Sequence, residues 1–394
     1  METWKKIKLG SACRTNTDSY SPKEKWDFVN YLDTGNITNN TIDSIQFIDL
    51  AKQKLPSRAK RKVRTDSIVY STVRPNQHHF GIIKSQPDNF LVSTGFAVLD
   101  VDADVLNADF LYYLLTQNTL VEALHSIAEQ STSAYPAIKP SDIENLVIEI
   151  PDLAVQKKIA GILNSLDRKI EKNVEINKNL EQQAQAIFAN EFLSLDTLPE
   201  GWKQASLIDI ADYLNGLAMQ KYRPTADESG IPVLKIKELR QGCCDNNSEL
   251  CSPSIKSDYI IHDGDVIFSW SGSLLVDLWC GGICGLNQHL FKVTSNKYDK
   301  WFYYAWTKHH LDRFVAVAAD KATTMGHIKR DELAKAEVLI PNEADYNRIG
   351  ALLQPIYEMI ISNRIENKKL AATRDILLPK LMNGEIDMSE VDYE

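Results

Sequence analysis

Two stretches of this chain carry apolar residues in the 4-3 alternation of a coiled-coil seam. In the first, Ile159, Leu163, Leu166, Ile170, Asn173, Asn177, Leu180, Ala184 and Ile187 hold that spacing. In the second, Ile349, Leu353, Ile356, Ile360, Asn363, Asn367, Leu370, Arg374 and Leu377 repeat it. A helix through the first seam would run about 42 Å at ~1.5 Å per residue. Ahead of it lie short apolar runs bounded by turn residues: DSIVYS (66–71), FGIIKS (80–85) and TGFAVLDV (94–101). These predict strands, and ADFLYYLLTQ (108–117) predicts a helix.

The second half answers the first piece by piece. IKPSDIENLVIEIP (138–151) returns as IKRDELAKAEVLIP (328–341), and the two seams keep the same offset of 190 residues. GDVIFS (264–269) answers DSIVYS, QHLFKV (288–293) answers FAVLDV, and DKWFYYAWTK (299–308) answers ADFLYYLLTQ. The openings agree as well, Trp4-Lys5 against Trp202-Lys203. A period this long is no solenoid repeat; it is a duplicated domain-plus-helix. Between the matched pieces the sequences differ almost completely, as a shared scaffold with divergent surface loops would.

Both seams place two asparagines at equivalent central positions. An asparagine in a seam lowers stability and fixes register by finding a polar partner. If the helices pair antiparallel, Asn173 and Asn177 face Asn367 and Asn363 about a pseudo-twofold axis. Two independent surface helices with solvent-facing asparagines are the other possibility. The expected fold class is α+β: two strand-rich domains joined and followed by long helices that form an antiparallel coiled coil, duplicated about that pseudo-twofold. Such a pair would act as a rigid spacer.

At 394 residues two to three domains are expected. Apolar residues at 44% and charged residues at 25% are ordinary for a soluble protein. No apolar run is long enough for a membrane helix, and METWKKIKLG has no signal-peptide core. The cytoplasm is the expected compartment. Cys13 stands alone, while Cys243, Cys244, Cys251, Cys280 and Cys284 crowd the second half. Their spacing lacks the doubled short Cys pairing of a structural zinc site. Reduced, partly buried thiols around the GGICG hairpin fit better, and zinc stays open.

Enzymatic motifs are missing. The GGICG segment does not match a dinucleotide loop, no GxxxxGK[ST] is present, and no methyltransferase-type Asn/Asp-Pro-Pro-aromatic tetrapeptide occurs. A nuclease pattern drawn from Asp152, Asp167 and Lys169 would sit on the seam helix, not on a hairpin. No catalytic residue, metal or cofactor is therefore expected. The net charge of −9 excludes an indiscriminate polycation but leaves room for a basic patch. KQKLPSRAKRKVR (52–64) holds seven cations and no acid, including Lys54, Arg58, Lys60, Arg61, Lys62 and Arg64. STVRPNQHH (71–79) follows with Arg74, Asn76 and Gln77, side chains that read guanine and adenine edges. In the second half the equivalent loops offer Trp270, Ser271, Ser273, Asn287, Gln288 and His289. Lys321, Thr323 and Thr324 match Ser131 and Thr132 as candidates for phosphate contact. A solvated basic loop, and core packing for Trp270, are the plain alternatives.

Four segments in order carry a family resemblance: STGFAVL (93–99), the run AIKPSDIENLVIEIPDLAVQKKIAGILNSLDRKIEKN (137–173), HIKRDELAKAEVLIP (327–341) and ILLPKLMNGEI (376–386). Over nearly its whole length the sequence resembles the specificity subunit of Type I restriction–modification systems. The resemblance implies a non-catalytic protein with two target-recognition domains, each reading half of a split duplex DNA target. It implies paired helices that set the spacer and dock two methyltransferase (modification) subunits, which bind S-adenosylmethionine. Two restriction (translocase/nuclease) subunits complete such a complex. The implied layout is recognition domain 1–151, spacer helix 152–195, recognition domain 196–341, spacer helix 342–383 and acidic tail 384–394. LNQHL (286–290) departs from the TGFAVL pattern, so a different local backbone is expected there. A standalone two-domain DNA-binding regulator is the competing class.

Overall fold

The computed structural model describes residues 4–130, 136–320, 328, 330–388 and 391. Two compact units emerge: Met1–Arg168 with Ala372–Glu394, and Lys169–Ala371. Each long helix contributes to both units.

Unit 1 begins with β1 (Lys5–Lys8), β2 (Cys13–Thr15) and β3 (Phe28–Leu32), then a small hairpin of β4 (Ile37–Thr38) and β5 (Thr41–Ile42). Next come β6 (Gln46–Asp49), β7 (Ala59–Arg61), β8 (Ser67–Ser71), β9 (Phe80–Ile83), β10 (Phe90–Ser93) and β11 (Phe96–Val101). Three helices follow, α1 (Ala108–Leu115), α2 (Asn118–Glu129) and α3 (Pro140–Glu144), before β12 (Val147–Ile150) and the long α4 (Leu153–Phe188). One sheet has the order β2-β11-β8-β9, a second the order β6-β3-β10-β7, and β1 pairs with β12. Within the second sheet β3 and β10 run parallel.

The first sheet is buried on both faces, which is why β8 and β9 are apolar almost throughout instead of alternating. Ile68, Tyr70, Phe80, Ile82, Ala97 and Leu99 face the helices, in one core with Phe110, Leu111, Leu124 and Leu163. Val69, Ile83, Phe96 and Val98 point the other way, onto Leu32, Phe90 and Val92 of the second sheet. The run TGFAVLDV is thus divided: Thr94–Gly95 is the step by which the chain leaves one sheet for the other. Gly95 fits closely there, since a Cβ would lie 2.8 Å from Thr34 Cγ2 and force a shift.

Unit 2 repeats this plan with β13 (Lys203–Ser206), α5 (Leu207–Ile210), β14 (Asp212–Asn215), β15 (Ile231–Leu234), α6 (Ile236–Gln241), β16 (Leu250–Cys251) and β17 (Ile260–Ile261). It continues with β18 (Val266–Ser269), β19 (Leu275–Leu278), β20 (Cys284–Leu286), β21 (Leu290–Thr294), α7 (Lys300–His309), α8 (Leu311–Asp320), α9 (Arg330–Ala334), β22 (Glu337–Ile340) and α10 (Glu343–Met382). Its sheets are ordered β14-β21-β18-β19 and β16-β15-β20-β17, and β13 pairs with β22. Here too one pair, β15 with β20, is parallel. The LNQHL departure falls on the sheet-to-sheet step, where Asn287–His289 replaces the two-residue Thr94–Gly95 link. One element is exchanged outright: α6 stands between β15 and β16 where unit 1 has the β4–β5 hairpin between β3 and β6.

Every position of the two 4-3 seams is buried or half-buried, while most intervening positions are exposed. In unit 1, Ile159 and Leu163 of α4 share a core with Leu377 and Leu381 of α10. In unit 2, Ala184 and Phe188 share one with Ile349, Leu353 and Ile360. Asn173 Nδ2 donates to Asn367 Oδ1 at 2.8 Å, and Asn363 Nδ2 donates to Asn177 Oδ1 at 2.9 Å. Their remaining donors are used as well, with Asn177 reaching the Ile360 carbonyl and Asn367 the Ile170 carbonyl, each at 3.3 Å. A later position on one helix meets an earlier one on the other, so the pair is antiparallel. Arg374, which occupies a seam position, is spent on Asp167 at 2.7 Å.

Described residues of the acidic tail after Gly384 pack against the unit 1 core. Met388 is buried in the unit 1 core, Ile386 and Val391 pack beside it, and Lys158 Nζ donates to the Met388 carbonyl at 3.2 Å. Among the described residues no helix is long and apolar enough to cross a membrane.

Candidate nucleic-acid interface

The basic run 52–64 does not act as one patch. Lys62 lies 2.6 Å from Glu24 and 3.9 Å from Asp18, and the Glu24 hydrogen bond holds its pKa above the ordinary lysine value. Arg64 pairs with Asp100 at 3.1 Å, and Lys52 pairs with Asp49. Arg61 is partly buried beside Ser19, and burial lowers its pKa. These residues were candidates for phosphate contact, and the structure commits them to neighbouring acids or to the interior. Lys54, Arg58 and Lys60 are exposed and enter no ion pair among the described residues.

Of these three, Arg58 is joined to the second candidate segment. Its carbonyl accepts from Thr94 N at 2.8 Å, and Thr72 N donates to the Gly95 carbonyl at 2.8 Å. The sheet-to-sheet step therefore sets Arg58 beside the start of the β8–β9 loop, residues 72–79. Within that loop Arg74 and His78 are left-handed at φ 48° and 56°, and Arg74, Asn76 and Gln77 are all exposed. The β4–β5 hairpin braces the loop. His79 Nδ1 lies 2.7 Å from the Ile37 carbonyl and 3.2 Å from Thr38 Oγ1, and Asn39 N donates to the His78 carbonyl. Asn39 and Asn40, both at positive φ, make the tight turn that asparagine pairs favour. The sequence reading missed this hairpin, although TNNT between short apolar runs was the available signal.

In unit 2 the topological counterpart of loop 72–79 is residues 270–274, between β18 and β19. The equivalence is marked by one bond: Ile328 N donates to the Trp270 carbonyl as Ile138 N donates to the Thr72 carbonyl. Trp270 is half-buried, stacked on Phe291 at 5.6 Å, with its Nε1 donating to Asn215 Oδ1 at 3.0 Å. Packing occupies most of its surface. Ser271 was a candidate base reader, but only 2% of it is exposed, which withdraws it from that role. Asn287 is also buried and caps its own turn by accepting from His289 N. Ser273 is exposed, and Gln288 and His289 are half-exposed. Lys321, Thr323, Thr324, Ser131 and Thr132 lie outside the described residues.

The remaining chemistry is structural. Burial pushes the Cys251 and Cys280 thiols up to about 11, which keeps both protonated. Among the described residues no three His, Cys, Asp or Glu side chains converge to hold a metal. Asp167, once considered within a nuclease pattern, accepts from Arg374 and from Tyr113 Oη. Arg364 bridges Asp277 and Glu181 at 2.8 and 3.0 Å. Burial works against its charge, yet Asp277 holds its pKa above the ordinary value.

Comparison with known proteins places these features in context. The family model described as "Type I restriction modification DNA specificity domain" matches residues 1–182 and again 199–372. The chain is 23% identical to the Type I restriction enzyme HindI specificity subunit of Haemophilus influenzae, covering 98% of this chain and 100% of that protein. It is 25% identical to the MjaIX specificity subunit of Methanocaldococcus jannaschii, covering 98% and 94%. Among solved structures, the S subunit of a Type I restriction–modification system from M. genitalium matches with a TM-score of 0.59 at 15% identity, covering 96% of each chain.

Proposed function

Since the chain belongs to the Type I restriction modification DNA specificity family, whose model it matches over both halves, we propose that it is the DNA-specificity subunit of a Type I restriction–modification complex. Each unit binds one half of a bipartite duplex target. The paired helices set the spacing and dock two methyltransferase subunits, and two restriction subunits complete the assembly in the cytoplasm. The chain contributes recognition and geometry, and the chemistry belongs to its partners.

One observation carries this reading. The two units repeat strand order and strand sense, and they differ in the loops after β8 and β18 and in the element after β3 and β15. A frame kept constant around exchanged surface pieces suits a protein that reads two different sequences. The exposed cations and amide side chains at 58, 74, 76 and 77 have the chemistry for phosphate and base edges.

The test is co-expression with methyltransferase subunits, followed by mapping of methylated adenines across a host genome. A two-part target separated by a fixed spacer is expected. Exchanging residues 72–79 for a Gly-Ser segment of equal length should disturb one half-site and leave the other intact. Tight sequence-specific binding by the isolated chain, or a single continuous target, would overturn the proposal.

A further inference from the structure

Resting on the recognition role proposed above, we infer that the exposed face of α6 reads base edges in the half-site bound by unit 2, with Arg240 and Gln241 as its specificity-determining residues. The argument begins with the repeat. Where unit 1 sends out the β4–β5 hairpin, unit 2 sends out α6, and in each unit the inserted element rests on the loop that follows the equivalent strand. In unit 1 that contact is His79 with Ile37 and Thr38. In unit 2 Gly272 and Ile236 are neighbours, since a Cβ placed on Gly272 would sit 3.7 Å from Ile236 Cδ1. These two divergent pieces of an otherwise repeated fold are thus adjacent in both units, and adjacency of variable elements is what a readout surface requires.

The helix is held firmly for its length. Lys235 N donates to Glu238 Oε2 at 3.2 Å, and Ser248 Oγ donates to Glu238 Oε1 at 3.3 Å. Gly242 closes the helix in the left-handed conformation at φ 76°. Leu239 is buried in a core with Leu234, Ile261 and Trp279. The inward face is therefore Glu238 and Leu239, and the outward face is Lys237, Arg240 and Gln241, all exposed. These three, with Ile236, line an open concavity of about 470 Å³.

Their chemistry separates their roles. Lys237 is engaged by Asp245 at 3.1 Å. Arg240 enters no ion pair among the described residues. The Gln241 amide rests on the Cys243 sulfur at 3.4 Å, a weak acceptor, and also reaches the Asp245 carboxylate, whose pKa it helps to lower. An arginine forks onto guanine O6 and N7, and a glutamine onto adenine N6 and N7. Side by side on a fixed helical surface, the two are placed to read adjacent base pairs in a major groove.

The experiment uses the complex with its methyltransferase subunits and maps methylated sites for wild type, Arg240→Ala, Arg240→Lys and Gln241→Ala. Discrimination at one base pair of a single half-site should fall by about 5- to 150-fold for Arg240→Ala. Arg240→Lys should relax that position as well, because lysine keeps the charge but loses the fork. Gln241→Ala should relax a neighbouring position of the same half-site. If Arg240→Lys restores full specificity, or if both half-sites survive all three changes, α6 contacts only backbone or nothing and the inference fails while the recognition role stands. If wild type itself yields no two-part target, the recognition role falls and takes this inference with it. Unfolding midpoints of the variants, expected to match wild type because both side chains are exposed, separate loss of contact from loss of fold.

Discussion

Asn363 Nδ2 donates a 2.9 Å hydrogen bond to Asn177 Oδ1 inside the seam between the two long helices. Both residues are more than nine-tenths buried, and their nearest seam neighbours along each helix, Leu180 and Ile360, are apolar. A slip of one heptad would set each amide against such a side chain and leave it unpaired. The pair therefore selects one register by penalising the others.

Replacing one member isolates its partner. Asn363→Leu leaves the Asn177 carbonyl oxygen without its donor and should lower stability by about 1–3 kcal/mol. The double change Asn177→Leu with Asn363→Leu removes both amides and should recover most of that loss, while admitting new registers or oligomers. Denaturant unfolding and sedimentation check the two halves of this statement, and additive losses in the double variant would show that the amides do not depend on one another.

Spacing follows from the same pairing. Because Asn177 faces Asn363, an insertion in one helix alone misaligns the seam. A matched insertion, one heptad after Asn177 and one before Asn363, keeps both asparagine pairs. It adds about 10.5 Å of helix, or about three base pairs at ~3.4 Å each. Methylated-site mapping should then show unchanged half-sites with a longer spacer; altered half-sites would count against the helices as a ruler.

Cations that look alike in the sequence should differ in salt dependence. Arg58→Ala should reduce the log–log salt slope of DNA binding by the assembled complex by about one. Lys62→Ala should leave it nearly unchanged, since Glu24 already neutralises that charge. Equal slopes for the two variants, measured by salt titration, would return Lys62 to the interface.

Acid should weaken unit 2 through two histidines. Burial holds the His309 and His310 imidazoles below their ordinary pKa, and His310 Nε2 lies 2.8 Å from the Glu337 carbonyl. The unfolded chain therefore binds protons that the native state refuses. The contribution is intact above about pH 6.5, the unfolded histidine range, and declines as pH falls below it toward the depressed folded values. Unfolding midpoints should drop between pH 7 and pH 5, and His310→Gln should flatten that drop. An equally steep profile in the variant would assign the acid sensitivity to other groups.

Much of the architecture was legible in the order of residues. The 4-3 spacing placed both seams and their asparagines, and the repeated IKPSDIENLVIEIP and IKRDELAKAEVLIP announced the duplication. These are local periodicities, and periodicity survives in sequence because each helix or strand needs one consistent face to bury. The interface was legible only as a region. Ser271 looked like a polar loop residue and lies inside; Lys62 and Arg64 looked like free cations and are spent on acids.

What the sequence by itself determined is the main strands and long helices, their twofold repetition and the polar centre of the helix pair. What only the tertiary structure decided is which polar groups remain available. Arg64 is neutralised by Asp100, 36 positions along the chain, and Arg58 reaches loop 72–79 only because the chain changes sheets at Thr94–Gly95. Hydrogen bonds and ion pairs depend on distance in space, falling off within a few ångströms, and no spacing along the chain encodes that.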